Sequence, residues 1–243
     1  MNREETISHQ EMADLARLRS QTYGFLGSLY IQRPDPAFVG RLTDGAMISL
    51  LNSMTCGEAS GEIASGLELV KRYLTRIREM PAQEIETELA VERTRLLRGI
   101  KPGYGPPPAY ESVYAGSDEQ PLMQTSVAVA RAYAEAGVGL PEEVRDQPDF
   151  IGFELDFLRH LTDKEARAWA CGDRGEAFKL LEKERAFLDE HAAGWIPRFC
   201  DLMFQDAKLD FYRGVARLTK AFVTDEVRRL VDLQNWARAA RAA

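Results

Sequence analysis

Apolar positions recur at helical spacing along almost the whole chain. Ile63, Leu67, Val70, Leu74 and Ile77 follow one another at steps of 4, 3, 4 and 3, which puts them on one face of a helix. Pro81 closes that helix, and a second is expected from Ala82 to Arg98, closed by Gly99. Upstream, the pattern predicts a helix over Met12 to Ile31 with Leu15, Leu18, Phe25, Leu26 and Leu29 facing inward, stopped by Pro34 and Pro36. Helix resumes from Pro121 to Ala136 and is broken by Gly-Val-Gly-Leu-Pro. Phe150 to Leu161 is apolar nearly all round, the mark of a central helix covered on several sides. Thr162 with Glu165 has the spacing of a capping box, and Asp173 with Glu176 repeats it with Asp as the cap. From there Ala177, Leu180, Leu181, Phe187, Leu188, His191 and Trp195 make one stripe, and two more helices are expected, Ala207 to Phe222 and Asp225 to Ala240.

Almost nothing alternates with the two-residue period of a strand. The fold class is therefore all-α, a multi-helix bundle. The run Gly137 to Pro148 reads as a hinge. It divides an N-terminal group, 1–137, which includes the Pro-rich loop 101–114, from a C-terminal group, 149–243, with 138–148 as the hinge and the whole forming one compact unit.

Two stretches need a reason of their own. Lys101 to Tyr114, KPGYGPPPAYESVY, holds four prolines and two glycines and cannot be helical before Pro108 is passed. Its plain reading is a stiff connector with Tyr110 and Tyr114 packed as anchors. Its functional reading is a recognition wall. Polyproline loses little entropy on binding, tyrosines offer wide contact with a polar handle, and Glu111 is placed to meet a basic group. Gln147 to Leu158, QPDFIGFELDFL, reads first as a helix start, with Pro148 in the first turn and Asp149 at the positive helix end. Its functional version has Asp149 pairing with a partner's arginine.

Composition narrows the classes. A 45% hydrophobic chain of 243 residues has enough apolar material for a packed core. With 31 basic and 38 acidic residues the formal charge is -7, which disfavours nucleic acid and suits a basic peptide. Cys56, Cys171 and Cys200 are odd in number and form no CxxC pair, so free thiols in a reducing compartment are expected rather than disulfides or a zinc knuckle. The first fifteen residues lack the apolar core of a secretory signal, and no run approaches the roughly 20 apolar residues that span a bilayer. A cytoplasmic protein without stable membrane insertion is expected. No phosphate-binding glycine loop, Glu-x-x-His pair or GxSxG elbow occurs, and three histidines make a catalytic zinc site a poor fit. No catalytic residue, metal or cofactor is expected, and His191 on its apolar stripe reads as a satisfied core histidine.

Four ordered segments resemble the TorD/DmsD/NarJ family of redox-enzyme maturation chaperones. Glu92 to Gly99, ERTRLLRG, is similar to the family's E-Y-x-x-L-F-x-G helix end. PPPAYESVY, Pro106 to Tyr114, resembles its P-P-Y-E-S-V-Y loop. Gln147 to Leu161 resembles E-P-D-H-x-x-x-E-L-x-F-M, and Gly172 to Met203 resembles a later helix with F-L-x-x-H-x-x-x-W-x-P-x-F. Departures stand at Arg93 (an aromatic is usual), Leu97 (Phe), Gln147 (Glu) and Phe150 (His), and Ala109 looks inserted. The resemblance implies an all-helical, cytoplasmic, non-enzymatic protein, monomer or homodimer. Its partners would be the catalytic subunit of a molybdopterin oxidoreductase and that client's twin-arginine leader, with cofactor insertion assisted and export delayed.

A leader of that kind is a basic segment followed by an apolar one. The site expected for it has Leu96, Leu97, Tyr110 and Tyr114 lining an apolar groove, Glu111 and Asp149 meeting the arginines, and Ser112, Gln147, Pro148 and Phe150 completing the wall. Two other readings stay open. One is a small-molecule or nucleotide hydrolase using Glu111, Asp149 and Asp156 as acids. The other is a plain helical adaptor whose proline stretch is only a connector.

Overall fold

The computed structural model describes residues 8–45, 49, 61–101, 103–115, 122–139 and 146–242. Among these the chain is helical, with one isolated antiparallel bridge and no strand. Helix α1 (His9–Ile31) starts at a capping box the hydrophobic pattern does not show: Ser8 Oγ accepts from the Glu11 N–H at 3.2 Å while Glu11 Oε2 accepts from the Ser8 N–H at 2.7 Å. Helix α2 (Pro36–Thr43) has Asp35 as its cap and proline in its first turn. Then come α3 (Gly61–Arg76), α4 (Ala82–Leu97), the single turn α5 (Glu111–Tyr114) and α6 (Leu122–Glu135). Helices α7 (Ile151–Ala170) and α8 (Arg174–Phe187) follow, then a wide π turn (Leu188–Ala192), α9 (Ala193–Asp206) and α10 (Asp210–Ala242).

The stripe from Ile63 to Ile77 became a buried face as the period predicted. Leu67, Val70, Leu74 and Ile77 of the first stripe are in the core, and Ile63 packs against it. Helix α7 is as central as its composition implied: Ile151, Leu155, Phe157, Leu158 and Leu161 are all buried between α1 and α8. Its crossing with α1 is close because glycines meet there. A Cβ on Gly27 would stand 3.2 Å from the Gly152 carbonyl oxygen. Helix α10, about 50 Å long by its 33 residues, crosses α3 the same way. A Cβ on Gly214 would lie 2.5 Å from Val70 Cγ2 and 2.7 Å from the Gly66 carbonyl oxygen.

Four elements are also pinned through one buried charge cluster. Arg19 of α1 donates to Glu226 of α10 at 2.8 Å, to Glu165 of α7 at 2.7 Å and to Glu184 of α8 at 2.5 Å. All four side chains are buried. Trp169 Nε1 donates to the other oxygen of Glu165 at 2.8 Å. Burial pushes the Glu184 carboxyl well above its ordinary range and Glu165 upward too, with the Arg19 cation opposing both.

Several expectations need correction. Leu18 and Phe25 are exposed, since the inward face of α1 runs instead through Met12, Ala16, Tyr23, Leu26 and Tyr30. Thr162 and Glu165 cap nothing, because α7 runs through them to Ala170; Thr162 Oγ1 donates to the Leu158 carbonyl at 2.7 Å and Glu165 turns to Arg19. The two expected C-terminal helices are one, α10, in which buried Val223 and Leu230 continue a single face. Pro148 and Asp149 precede α7, whose cap is Phe150. The expected hinge falls largely on residues 140–145, outside those described, as does Cys56. No described helix is long and apolar enough to cross a membrane.

Candidate functional site

The proline loop wraps the C-terminal end of α4. Gly99 takes the left-handed conformation there, with φ +57, and Pro108 packs where a side chain would stand, 2.6 Å from an ideal Cβ. At Gly105 the backbone approaches the Arg95 carbonyl oxygen so closely that no side chain fits. Arg95 fastens the loop from below: it pairs with buried Glu92 at 2.8 Å and donates to the carbonyls of Tyr104 at 3.0 Å and Asp206 at 2.6 Å. Arg93 reaches the last carbonyls of α1 at Tyr30 and Ile31, a cation at a helix C-terminus.

Past Pro108 the loop pairs with the start of α7. The Ala109 N–H donates to the Leu97 carbonyl at 3.2 Å. An antiparallel bridge joins Tyr110 to Phe150, with Glu111 N–H to Asp149 carbonyl at 2.9 Å and Ile151 N–H to Ala109 carbonyl at 3.1 Å. The two stretches singled out in the sequence thus form one backbone unit.

Its inner side is a buried acid network. Asp149 is fully buried and saturated: one oxygen accepts from the Ser112 N–H at 2.9 Å, the other from Ser126 Oγ of α6 at 2.5 Å. It therefore caps the turn α5 rather than its own helix. Glu111 faces His191 Nδ1 at 3.0 and 3.1 Å, and His191 stands in the π turn, a helix irregularity often found at functional positions. Glu154 is fully buried beneath them, accepting from Trp195 Nε1 at 3.0 Å. Burial, reinforced by the charges of Glu111 and Asp149, pushes the Glu154 carboxyl well above its ordinary range. Tyr114 stacks on Trp195 at 5.5 Å and donates to the Pro107 carbonyl at 2.8 Å, the anchor role expected for it.

The outer side is a clasp. Arg98, the C-cap residue of α4, donates through Nη1 to Tyr110 Oη at 2.6 Å and to Asp146 Oδ2 at 2.7 Å, while Tyr110 Oη donates to Asp146 Oδ1 at 2.7 Å. The Arg98 guanidinium lies over the Phe150 ring, 5.4 Å from its centroid. Burial raises the Asp146 carboxyl, but the hydrogen bonds from Tyr110 and Arg98 outweigh it and hold it below its ordinary value.

Leu96, Leu97, Phe150 and Asp149 are thus covered, and Glu111 and Ser112 nearly so. Tyr110, Tyr114 and Pro148 are half-buried, and Gln147 is exposed, its side-chain amide 3.1 Å from Ser126 Oγ, whose one proton goes to the closer Asp149. The expected pair of outward acids is therefore turned inward, because each carboxylate has an internal donor. Asp156, the third acid of the hydrolase reading, faces outward and pairs with Arg159 at 2.5 Å. His191 is satisfied, at the edge of the core and by Glu111. Arg98, Asp146, Ser126 and Glu154 were not singled out by the sequence; their partners lie 12 to 48 residues away, with no local spacing to betray them. Beside the unit, Val113 of α5 (38% exposed) and Met123 and Val127 of α6 (78% and 63%) present apolar side chains to solvent.

Comparison with known proteins places these features. The family model described as nitrate reductase delta subunit matches residues 60–201, more than half of the chain. "Chaperone protein TorD" of Vibrio cholerae serotype O1 (strain M66-2) is 23% identical over 227 residues, covering 92% of this chain and 97% of that one. "Chaperone protein TorD" of Vibrio parahaemolyticus serotype O3:K6 is 28% identical over 119 residues, 49% of this chain and 54% of its own. A "Selenate reductase assembly chaperone protein" of Thauera selenatis is 33% identical over 90 residues, 36% of this chain and 46% of its own. The chain belongs to the nitrate reductase delta subunit family, the TorD/NarJ group that its four motif segments resemble.

Proposed function

We propose that this protein is a non-enzymatic assembly chaperone that holds the catalytic subunit of a molybdopterin oxidoreductase, together with a basic–apolar leader where the client has one, while cofactor is inserted, and so delays export. It acts in the cytoplasm. The observation that carries the docking surface is the exposure of Val113, Met123 and Val127 beside a rigid loop unit. Met123 and Val127 stand one turn apart on α6 with Val113 beside them, an apolar surface for a partner's apolar segment to cover. The loop is held by Arg95, Asp149, Glu111 and Tyr114, so it meets a partner with little ordering cost. The expected site residues divide accordingly: Leu96, Leu97, Glu111, Ser112, Asp149 and Phe150 shape the wall from within, and Tyr110, Tyr114, Gln147 and Pro148 form its outer edge.

The test is capture of the catalytic subunit of a molybdopterin oxidoreductase from the same cell, co-expressed with the tagged chain. Met123→Lys with Val127→Lys alters only exposed positions, so the melting temperature should hold while capture falls at least tenfold. Undiminished capture by the double variant would move the client elsewhere on the surface.

A further inference from the structure

Both acids expected to meet a partner's arginines are sealed inside, which leaves the cation-reading group of this face to be found. We propose that it is Asp146, and that Arg98 is its resident occupant, an intramolecular competitor that a partner's guanidinium displaces. The inference rests on the client reading above and adds to it the group that reads the basic segment and the device that sets its threshold.

Geometry favours exchange at this pair. Asp146 and Arg98 keep side-chain exposures of 18% and 35%, unlike the Glu92–Arg95 and Arg19 pairs, which are buried. Arg98 spends a single nitrogen on both Tyr110 and Asp146, an end-on contact. An incoming arginine can present two parallel N–H groups to the carboxylate, the stronger, fork-like arrangement. Displacement also leaves Arg98 provided for. It sits at the C-terminus of α4, where a cation is favoured, and over the Phe150 ring.

What lies next to Asp146 fits the rest of such a segment. The neighbouring Gln147 side chain lies 3.1 Å from Ser126 Oγ of α6, and Met123 and Val127 flank Ser126 on that helix, exposed. A carboxylate with an exposed apolar strip alongside it matches a peptide carrying arginine followed by apolar residues. Lysine is a weaker match, because its ammonium cannot make the fork.

The experiment uses the full chain and a fluorescent synthetic peptide of two arginines followed by eight leucine and alanine residues, with two-lysine and two-glutamine versions, read by anisotropy at low salt. Wild type should bind the arginine peptide several-fold more tightly than the lysine one. Arg98→Gln should tighten it three- to tenfold, Asp146→Asn should weaken it at least tenfold, and in the Asp146→Asn background Arg98→Gln should gain nothing. Thermal unfolding of each variant checks that the fold is kept. If Arg98→Gln leaves affinity unchanged or lowers it, Arg98 is a structural clamp and the exchange is overturned, while the client reading stands. If wild type binds the arginine and glutamine peptides alike, both the exchange and the leader part of the client reading fall, and capture of the catalytic subunit then tells whether the rest survives.

Discussion

Replacing Arg19 by methionine removes the cation and keeps most of the volume of its stem. Three glutamates from three other helices then face one another without it, at a point where all the side chains are at most 2% exposed. Removing one partner of a buried ion pair costs about 3–5 kcal/mol, because the remaining charge stays desolvated. For a chain of this size about 1 kcal/mol moves the unfolding midpoint by about 2–4 °C, so Arg19→Met should melt about 6–20 °C below wild type at pH 8. The pH dependence gives the sharper check. Glu165 and Glu184 have folded pKa values raised above their unfolded ones, chiefly by burial. The folded state therefore holds more protons than the unfolded state as pH climbs from about 4.5, and stability falls over that window. Arg19 opposes those shifts. Without it the protons are retained to higher pH, and each costs about 1.4 kcal/mol per pH unit. The deficit of the variant should thus be wider at pH 8 than at pH 5.5, and Glu184→Met added to Arg19→Met should recover part of it. Midpoints followed by circular dichroism at both pH values decide the matter. Equal midpoints at pH 8, or a deficit that narrows as pH rises, would refute this account.

Other substitutions test other parts of the structure. Gly214→Ala should destabilise by about 1–3 kcal/mol despite alanine's better helix propensity, because the added carbon meets Val70 and the Gly66 backbone rather than a flexible tip; an unchanged urea midpoint would contradict the close α3–α10 crossing. Glu154→Gln should stay within about 1 kcal/mol of wild type, since the amide oxygen still accepts from Trp195 and a neutral group suits a site where burial disfavours a charged carboxyl, whereas Glu154→Leu orphans the indole N–H and should cost about 1–3 kcal/mol; urea titration of both separates them. Cys171 is exposed, and Cys200 is buried with its thiol pushed up to about 12 by burial, so iodoacetamide should alkylate Cys171 in the native protein and Cys200 only after unfolding. Peptide mapping that found both modified at one rate would contradict that packing.

What the sequence made legible is what is local. The step pattern of Ile63 to Ile77 fixes a helical face because periodicity is a property of the chain itself, and proline or glycine at Pro34, Pro81 and Gly99 marks ends for reasons carried by those residues alone. The misread joints are those where the same residue types serve a distant partner. Thr162 and Glu165 have the spacing of a cap, yet the carboxylate belongs to Arg19, 146 residues away. Between Phe222 and Asp225 stands neither glycine nor proline, and buried Val223 carries α10 straight through.

The candidate site shows the same division more sharply. The sequence singles out the stretches that hold Glu111 and Asp149, which stand at the start of α5 and just before α7, and the backbone bridge brings the two stretches together. It could not tell an acid that awaits a partner from one that already has one. Glu111 has His191, 80 residues on, and Asp149 has Ser112 and Ser126, so each is satisfied from within. A buried carboxylate without donors would carry a heavy desolvation cost, and this loop can be rigid only because its acids are so provided for. The rigidity and the loss of outward charge are therefore one fact. Among the described acids of this unit, Asp146 keeps some exposure, and its present donor, Arg98, is the same guanidinium chemistry that a basic partner would bring.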